Sequence, residues 1–306
     1  MTTNVAVKTA RETTQATAIA TGRSRDRTPA SLVFLGALWF SLFLAVLVLV
    51  ALIIDTAITG APRFDAALLT EYDSTLFPER TGFRAGIIGT IWLMVTTAVL
   101  AVPLGIAAAL YLEEFADGNR WYNRVIEVNL QNLAAVPSVV YGLLAVGVMA
   151  ALGFERKGIV LGGAIALGLL ILPVIIITTR EAVRAVPNEI RFGSLALGAT
   201  QWQTTWRQIL PSAVPGIATG TILGLSRAIG EAAPLLMLGI PLAVRFDPEG
   251  VLSQMTALPM QIFYMTSQSQ IEYQQAAAAA IIVLLVLVLA LNGLAIFIRN
   301  KFQRSW

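Results

Sequence analysis

Two residues of opposite charge, Arg227 and Glu231, lie inside an apolar segment that runs from 214 to 239. They are four positions apart, so on a continuous helix they share one face and can form an ion pair. Arg227 is about thirteen residues from either end of the segment, which at ~1.5 Å per residue places it ~20 Å from each end. An arginine near the centre of a bilayer costs ~2.5–3.5 kcal/mol by insertion scales, so it must face protein or a water-filled cavity.

The chemistry of this pair favours binding of an anion. A guanidinium offers a planar fork of donors and a permanent charge, which suits a tetrahedral oxyanion. Glu231 would prevent the empty site from holding an anion too tightly and would help its release. The structural alternative is that the two side chains only neutralise each other's charge, or that they fix a helix interface, as buried ion pairs can.

The residue types that are missing exclude several chemistries. The chain contains no His and no Cys, which removes thiol catalysis, disulfides and imidazole-based triads and metal sites. None of its three lysines lies in a phosphate-binding G-x-x-x-x-G-K-[ST] loop. We therefore expect no catalytic residue, no metal and no cofactor, and if ATP drives this protein another chain hydrolyses it.

Small residues recur every four positions in the same apolar segment, at Gly216, Gly220 and Gly224. In lipid, small residues at that interval allow two helix backbones to approach closely. This stripe predicts a face that packs on a neighbouring helix.

The composition is that of an all-α integral membrane protein. Of its 306 residues, 57% are hydrophobic and 13% charged, and the mean hydropathy is +0.75. Apolar runs long enough to cross a bilayer predict six transmembrane helices. Their predicted limits are 31–54, 85–112, 125–152, 159–179, 214–239 and 275–298.

The basic residues predict the orientation. Fourteen Lys and Arg fall on the side of the termini, including the 180–213 loop, and six on the opposite side. The positive-inside rule then places both termini in the cytoplasm. The N-terminal tail, 1–30, is polar and basic and is predicted to be disordered, and 299–306 is a short cytoplasmic tail.

The 180–213 loop has the pattern of a helix-turn-helix. Pro187 suits a first helical turn, Gly198 a left-handed stop, and Thr200 a cap of the next helix. Trp202, Trp206 and Ile209 then follow at i, i+4 and i+7, which predicts one shared face. Such a loop suits contact with a soluble partner, although an amphipathic helix on the membrane surface is the alternative. The remaining positions of interest are Ala199, Leu210 and Pro211.

Several strings resemble one family of transporters. The spacing of Gly198 and Leu210-Pro211 is similar to the loop signature of ABC importer permeases, without its acidic position. YLEEFADGNRW (111–121), NLAAVPSVVYGLL (132–144), EAVRAVPNEIR (181–191), SRAIGEAAPLL (226–236) and ALPMQIFYM (257–265) resemble the PstA-type permeases of phosphate ABC transporters. The likeness runs from about residue 85 to the C-terminus and defines an expected permease core, 85–298, preceded by a first helix, 31–54.

This resemblance implies a non-catalytic membrane subunit of an ATP-driven phosphate importer, with a type I permease fold. It implies a homologous PstC-type second permease, two PstB-type ATP-binding subunits, a PstS-type external phosphate-binding protein and membrane lipid as partners, and no nucleic acid. It places Arg227 and Glu231 in the phosphate path and the 180–213 loop against the ATP-binding subunit. One departure is that Ile177–Arg180 replaces the R-T-T-E string of related chains.

Three other functions are compatible with the residues. The same kind of ATP-driven importer can carry phosphonate, sulfate or molybdate instead of phosphate. A secondary transporter can be driven by protons through Glu231. An intramembrane enzyme can use Glu231 as a general acid or base, but no nucleophile or metal-binding companion accompanies it.

Overall fold

The computed structural model describes residues 29–74, 76–117 and 120–302. Contacts divide the chain into two units, one ending at Asp55 and the other beginning at Thr56. Most of the predicted N-terminal tail, up to residue 28, lies outside the described residues. The last helix continues to Phe302, so the first four residues of the predicted C-terminal tail are helical and the rest lie outside the described residues.

The described residues form helices and no strand, apart from an isolated bridge between Ile159 and Gln254. Two single turns of π-helix, Tyr111–Phe115 and Thr205–Ile209, interrupt or extend the α-helices. The α-helices are α1 (Pro29–Gly60), α2 (Ala66–Thr70), α3 (Arg84–Leu110), α4 (Trp121–Leu133), α5 (Ser138–Ala151), α6 (Val160–Arg184), α7 (Asn188–Ala196), α8 (Gln201–Thr204), α9 (Leu210–Ile229), α10 (Ala233–Met237), α11 (Leu258–Thr266) and α12 (Ile271–Phe302).

Helix α1 is long and apolar. It has 32 residues, more than the ~20 needed to cross a bilayer, and its side chains from 31 to 55 are all exposed. A helix that is apolar on every side needs lipid or protein around it.

The core of the second unit forms around α6. This helix packs against α3 on one side and α9 on another, and Leu167, Ile171 and Ile175 are fully buried between them. A second cluster joins α11 to the alanine run 276–280 of α12. Small residues at these contacts let the helices approach closely. This is expected in a membrane, where lipid tails are as apolar as the helix side chains and association depends on close packing.

Among the described residues, five helices are long and apolar enough to span a membrane, and a sixth span arises if the bent pair α4–α5 counts as one. The prediction of a single helix over 125–152 is wrong, because α4 and α5 meet at a bend of 120°. Pro137 explains the break: its ring cannot continue the helix, and it disfavours helical geometry at Val136. Pro137 instead precedes the first residue of α5.

Candidate functional site

Arg227 and Glu231 lie at a break between two helices. Arg227 is in the last turn of α9, and Glu231 belongs to the segment 230–232 that separates α9 from α10. The prediction of a continuous helix over 214–239 is wrong. Pro234 has no amide hydrogen to donate to Gly230, and its ring clashes with that carbonyl, so the helix ends before it.

The two charges are close but not tightly bound. Arg227 Nε lies 3.8 Å from Glu231 Oε1, which is beyond hydrogen-bond distance. The Arg227 side chain is 46% exposed and that of Glu231 22%. Arg227 also sits where the partial negative charge of a helix C-terminus favours a cation. The guanidinium therefore has donors available for another ligand.

Tyr141 completes this group from the α4–α5 bend. Its hydroxyl donates a 2.5 Å hydrogen bond to the carbonyl of Leu133, and the residue is buried in the same cluster as Ala228, which follows Arg227. The next residue, Gly142, touches α10: a Cβ placed there would lie 2.5 Å from the carbonyl oxygen of Pro234. The helix that follows the α4–α5 break thus contacts the helix that follows the α9–α10 break. In the sequence, only Pro137 and Pro234 indicate these two breaks.

The glycine stripe of α9 faces α6. A Cβ added at Gly216 would lie 2.6 Å from Ala182 Cβ, and one added at Gly220 would overlap the Thr178 hydroxyl. Gly224 leaves more room, with 3.5 Å to the nearest side-chain atom of Ile175. Close approach of the two backbones fixes the position of α9 and hence of Arg227.

The 180–213 loop contains two short helices joined at a glycine. Gly198 has φ +85°, a left-handed conformation that follows α7 at little steric cost. Thr200 caps α8 through a reciprocal pair of hydrogen bonds, from Gln203 N to Thr200 Oγ1 at 3.2 Å and from Thr200 N to Gln203 Oε1 at 2.9 Å. Leu210 and Pro211 begin α9, so the loop runs directly into the helix that carries Arg227.

The predicted shared face of Trp202, Trp206 and Ile209 is only partly correct. The two tryptophan rings stack at 5.5 Å with an interplanar angle of 9° and are exposed, whereas Ile209 is buried against Leu110 and Val183. The π-turn over 205–209 adds a residue to the turn and rotates Ile209 away from the tryptophans. No feature of the sequence predicts this π-turn.

Large apolar side chains are exposed along the loop. Leu197 is 91% exposed and Trp202 61%, next to exposed Phe192, Leu195 and Trp206. Several large exposed apolar side chains within one loop indicate contact with protein or membrane.

A charged cluster, Glu113, Glu127, Arg180 and Arg184, joins the π-turn after α3, the middle of α4 and the end of α6. Arg180 Nε lies 3.2 Å from Glu113 Oε2 and its Nη2 3.0 Å from Glu127 Oε1, and Arg184 Nε lies 2.8 Å from Glu113 Oε1. The neighbouring Glu114 pairs with Arg191 at 2.8 Å and is 8% exposed. Sequence reasoning missed these partners because they lie 53 to 77 positions apart.

The other end of the bundle holds polar groups among its connecting segments. Asp73 is buried, accepts a hydrogen bond from Thr81, and its backbone oxygen accepts one from Arg245 Nε. Burial raises the pKa of the Asp73 carboxyl, and the Thr81 hydrogen bond and the charge of Arg245 oppose that effect. Arg84 and Asp247 form an ion pair at 2.8 Å across 163 positions of sequence.

Comparison with protein families gives one match. Residues 101–304 match the family described as "Binding-protein-dependent transport system inner membrane component". This range contains the helix break, the charged cluster and the whole 180–213 loop.

Curated relatives cover much of the chain. It is 38% identical over 184 residues to "Phosphate transport system permease protein PstA 1" of Mycobacterium tuberculosis (strain CDC 1551 / Oshkosh), covering 60% of this chain and 59% of that protein. It is 35% identical to "Phosphate transport system permease protein PstA" of Mycobacterium leprae (strain TN), covering 74% of each. It is 31% identical to the protein of the same description from Yersinia pestis, covering 83% and 85%. The match to the first relative thus spans less than two thirds of that protein's length.

Solved structures share the fold. A chain of a bacterial alginate ABC transporter, solved with an alginate pentasaccharide-bound periplasmic protein, superposes with a TM-score of 0.62 at 17% identity, covering 92% of this chain and 96% of that one. A chain of the inward-facing MetNI methionine ABC transporter gives a TM-score of 0.55 at 19% identity, covering 72% and 95%. At these identities the likeness establishes the fold, that of a type I ABC importer permease.

Proposed function

The chain belongs to the family of binding-protein-dependent transport system inner membrane components, of the PstA type, and we propose that it conducts inorganic phosphate as the membrane subunit of an ATP-driven importer. It is a multi-pass membrane protein. The family's membrane subunits are non-catalytic, so the proposal needs no reactive residue in this chain.

The observation that carries the proposal is an available guanidinium at a break in a transmembrane helix. Irregular backbone at membrane depth is tolerated only where it is buried in protein or lines a water-filled cavity. The segment 230–232 leaves helix-end carbonyls without helical partners, and Arg227 and Glu231 lie there with their side chains partly exposed. These features together suit the wall of an aqueous path.

The depth of Arg227 can be estimated from α12. Arg299 near the end of this helix donates a 3.0 Å hydrogen bond to Thr219 Oγ1, so the basic end of α12 and Thr219 lie at one level. Basic residues at a helix end mark the edge of the hydrocarbon region. Arg227 follows Thr219 by eight residues, or ~12 Å along α9, which is near the middle of a layer ~30 Å thick.

The geometry suits transient binding of phosphate. The Arg227 fork can donate two hydrogen bonds to phosphate oxygens. Glu231, at 3.8 Å, offers a competing negative charge that does not occupy those donors in the empty state. Phosphate therefore meets a single positive group whose net attraction is reduced by the neighbouring carboxylate. Such a site can release its ligand as well as bind it.

The remaining partners follow from what one chain lacks. The exposed face around Arg227 needs a second surface to enclose a path, which a homologous PstC-type permease would supply. The exposed apolar surface of the 180–213 loop would contact one of two PstB-type ATP-binding subunits, and a PstS-type binding protein would deliver phosphate at the opposite end. This arrangement puts both termini in the cytoplasm, in agreement with the basic residues.

The test is ATP-driven uptake of radiolabelled phosphate into vesicles that contain the assembled complex. Arg227→Gln removes a charge-assisted donor and should reduce uptake on the order of 10–100-fold at matched abundance and assembly. Arg80→Gln, which removes an exposed arginine far from the break in sequence, is the control and should leave uptake unchanged. Unlabelled sulfate and molybdate should fail to compete. Normal uptake by Arg227→Gln would remove this residue from the path, and absence of phosphate uptake by wild type would refute the function.

A further inference from the structure

Helix α4 has few buried residues. Of its thirteen residues only Asn123 and Leu130 are buried, and most of its length is exposed. A segment with few buried contacts moves at low free-energy cost, while its internal hydrogen bonds keep it rigid. Such a helix can change position as one body.

The charged cluster contacts α4 at Glu127. Arg180 of α6 contacts both Glu127 on α4 and Glu113 in the π-turn after α3, with only 13% of the Arg180 side chain exposed. A guanidinium can bind two carboxylates at once because its donors point in fixed directions. The position of α4 is therefore tied to the end of α3.

The same π-turn is tied to the 180–213 loop. Arg191 on α7 binds Glu114, the neighbour of Glu113, at 2.8 Å and also donates to the carbonyl of Val183 at 2.9 Å. Gln201 at the start of α8 donates to the Glu114 carbonyl. A movement of the loop must therefore displace the π-turn or break these contacts.

The C-terminal end of α4 reaches the region of Arg227. Leu133 is the last residue of α4, and its carbonyl accepts the hydrogen bond from Tyr141, which is buried in the same cluster as Ala228, the residue after Arg227. The hydrogen bond is made across the 120° bend. A shift of α4 along its axis moves the Leu133 carbonyl, which through this hydrogen bond repositions the Tyr141 hydroxyl of α5.

We propose that α4 transmits movement of the 180–213 loop to Arg227, with Arg180 and Glu127 as positioning residues at the middle of α4 and Tyr141 at its C-terminal end. The proposal rests on the proposed function, in which the loop contacts an ATP-binding subunit. When the loop moves, the π-turn and the charged cluster carry α4 with it, and Tyr141 moves against Arg227.

The first test measures coupling in proteoliposomes that contain the whole complex. ADP release and uptake of radiolabelled phosphate are recorded in the same vesicles, which gives ATP hydrolysed per phosphate transported. Arg180→Gln and Tyr141→Phe should each raise this ratio at least about fivefold, the lower range of ordinary coupling between sites. Arg180→Lys should recover part of the loss, since it keeps the charge. Arg124→Gln, an exposed arginine of the same helix, should leave the ratio unchanged.

Two results would overturn the proposal. One is a wild-type ratio in both Arg180→Gln and Tyr141→Phe. The other is a parallel fall of hydrolysis and uptake with the ratio unchanged, because this would make the residues merely structural. An increase in ATP hydrolysed per phosphate transported supports it when the vesicles contain equal amounts of intact complex and no free ATP-binding subunit.

A second measurement does not depend on the identity of the substrate. The chain has no cysteine, so Val128→Cys on α4 and Leu223→Cys on α9, both exposed, can carry spin labels in a complex whose other subunits are free of reactive cysteine. The distance between the labels should change when a non-hydrolysable ATP analogue binds, and should stay fixed in the Arg180→Gln background. A constant label distance in wild type, or the same change in wild type and in the Arg180→Gln background, contradicts the proposed transmission of movement by α4. If wild type takes up no phosphate but the distances behave as expected, only the proposed substrate is wrong.

Discussion

Gly216 of α9 lies so close to Ala182 of α6 that a Cβ added to the glycine would be 2.6 Å from the alanine Cβ. Both atoms are attached directly to helix backbones, so neither can rotate away. The spacing of the two helices, and therefore the placement of Arg227, depends on the absence of one methyl group.

Gly216→Ala should destabilise the protein by about 1–3 kcal/mol, as overpacking of a close contact does. The measurement is the midpoint of thermal unfolding in detergent. Gly224→Ala is the matched control, since its added Cβ would have 3.5 Å to Ile175 and should be tolerated. Equal melting of the two variants would show that the α6–α9 contact does not depend on the stripe.

Thr200→Ala removes the side-chain cap of α8. We expect a loss of about 1 kcal/mol of local helix stability, seen as faster hydrogen exchange of the Gln203 amide. Thr200→Ser keeps the hydroxyl and should retain most of the protection. Unchanged exchange in the alanine variant would mean that another group protects this amide.

Asp73→Asn tests the effect of burial on a carboxyl outside the membrane. Because folding raises the pKa of Asp73, its contribution to stability is fully present below the unfolded pKa of about 3.9 and is lost as pH rises through the folded value. The asparagine variant lacks this loss, so its advantage in thermal midpoint over wild type should grow from low pH toward neutrality. A difference that is independent of pH would contradict the raised pKa.

Trp202→Ala should weaken binding of the ATP-binding subunit. A stacked, exposed tryptophan at the centre of an interface contributes about 2 kcal/mol or more, which corresponds to at least ~30-fold in affinity. Trp121→Ala, another exposed tryptophan, is the control and should bind normally. Light scattering or pull-down of the purified subunit reports the affinity, and equal binding by both variants would place the interface elsewhere.

Glu231→Gln should retain phosphate for longer in the proposed path. Removal of the competing carboxylate strengthens the attraction of Arg227, so the phosphate concentration for half-maximal uptake should fall together with the maximal rate. Transport kinetics in vesicles distinguish this from simple loss of function, in which only the maximal rate falls. A rise in the half-maximal concentration would exclude the proposed role of Glu231.

Much of the fold could be predicted from the sequence because lipid imposes a simple rule on length and hydropathy. Spans around α1, α3, α6 and α12 follow from apolar runs alone. The two errors, at 125–152 and 214–239, have one cause: hydropathy does not register a proline that ends a helix. Pro137 and Pro234 were visible, but a proline inside an apolar run can either kink a helix or end it, and only the packing around it decides.

The site was harder to predict because it depends on contacts between distant positions. The Arg227–Glu231 pair was visible since its members are one turn apart. The partners of Arg180 were not, since Glu113 is 67 positions away. Gln261 is fully buried beside Gly86, because the glycine leaves room for its amide, and no spacing in the sequence relates these two positions.

The glycine contact between α6 and α9 also bears on how the chain enters the membrane during synthesis. Among the five long helices, the stretch from Gln201 to Ile229 is the least apolar, and it carries Arg227. Such a segment partitions poorly into lipid by itself, whereas a neighbour that accepts its small-residue face offers a surface inside the bilayer. Helix α6 is made earlier and is apolar enough to insert unaided. The order of translation therefore supplies the partner before the helix that needs it leaves the ribosome.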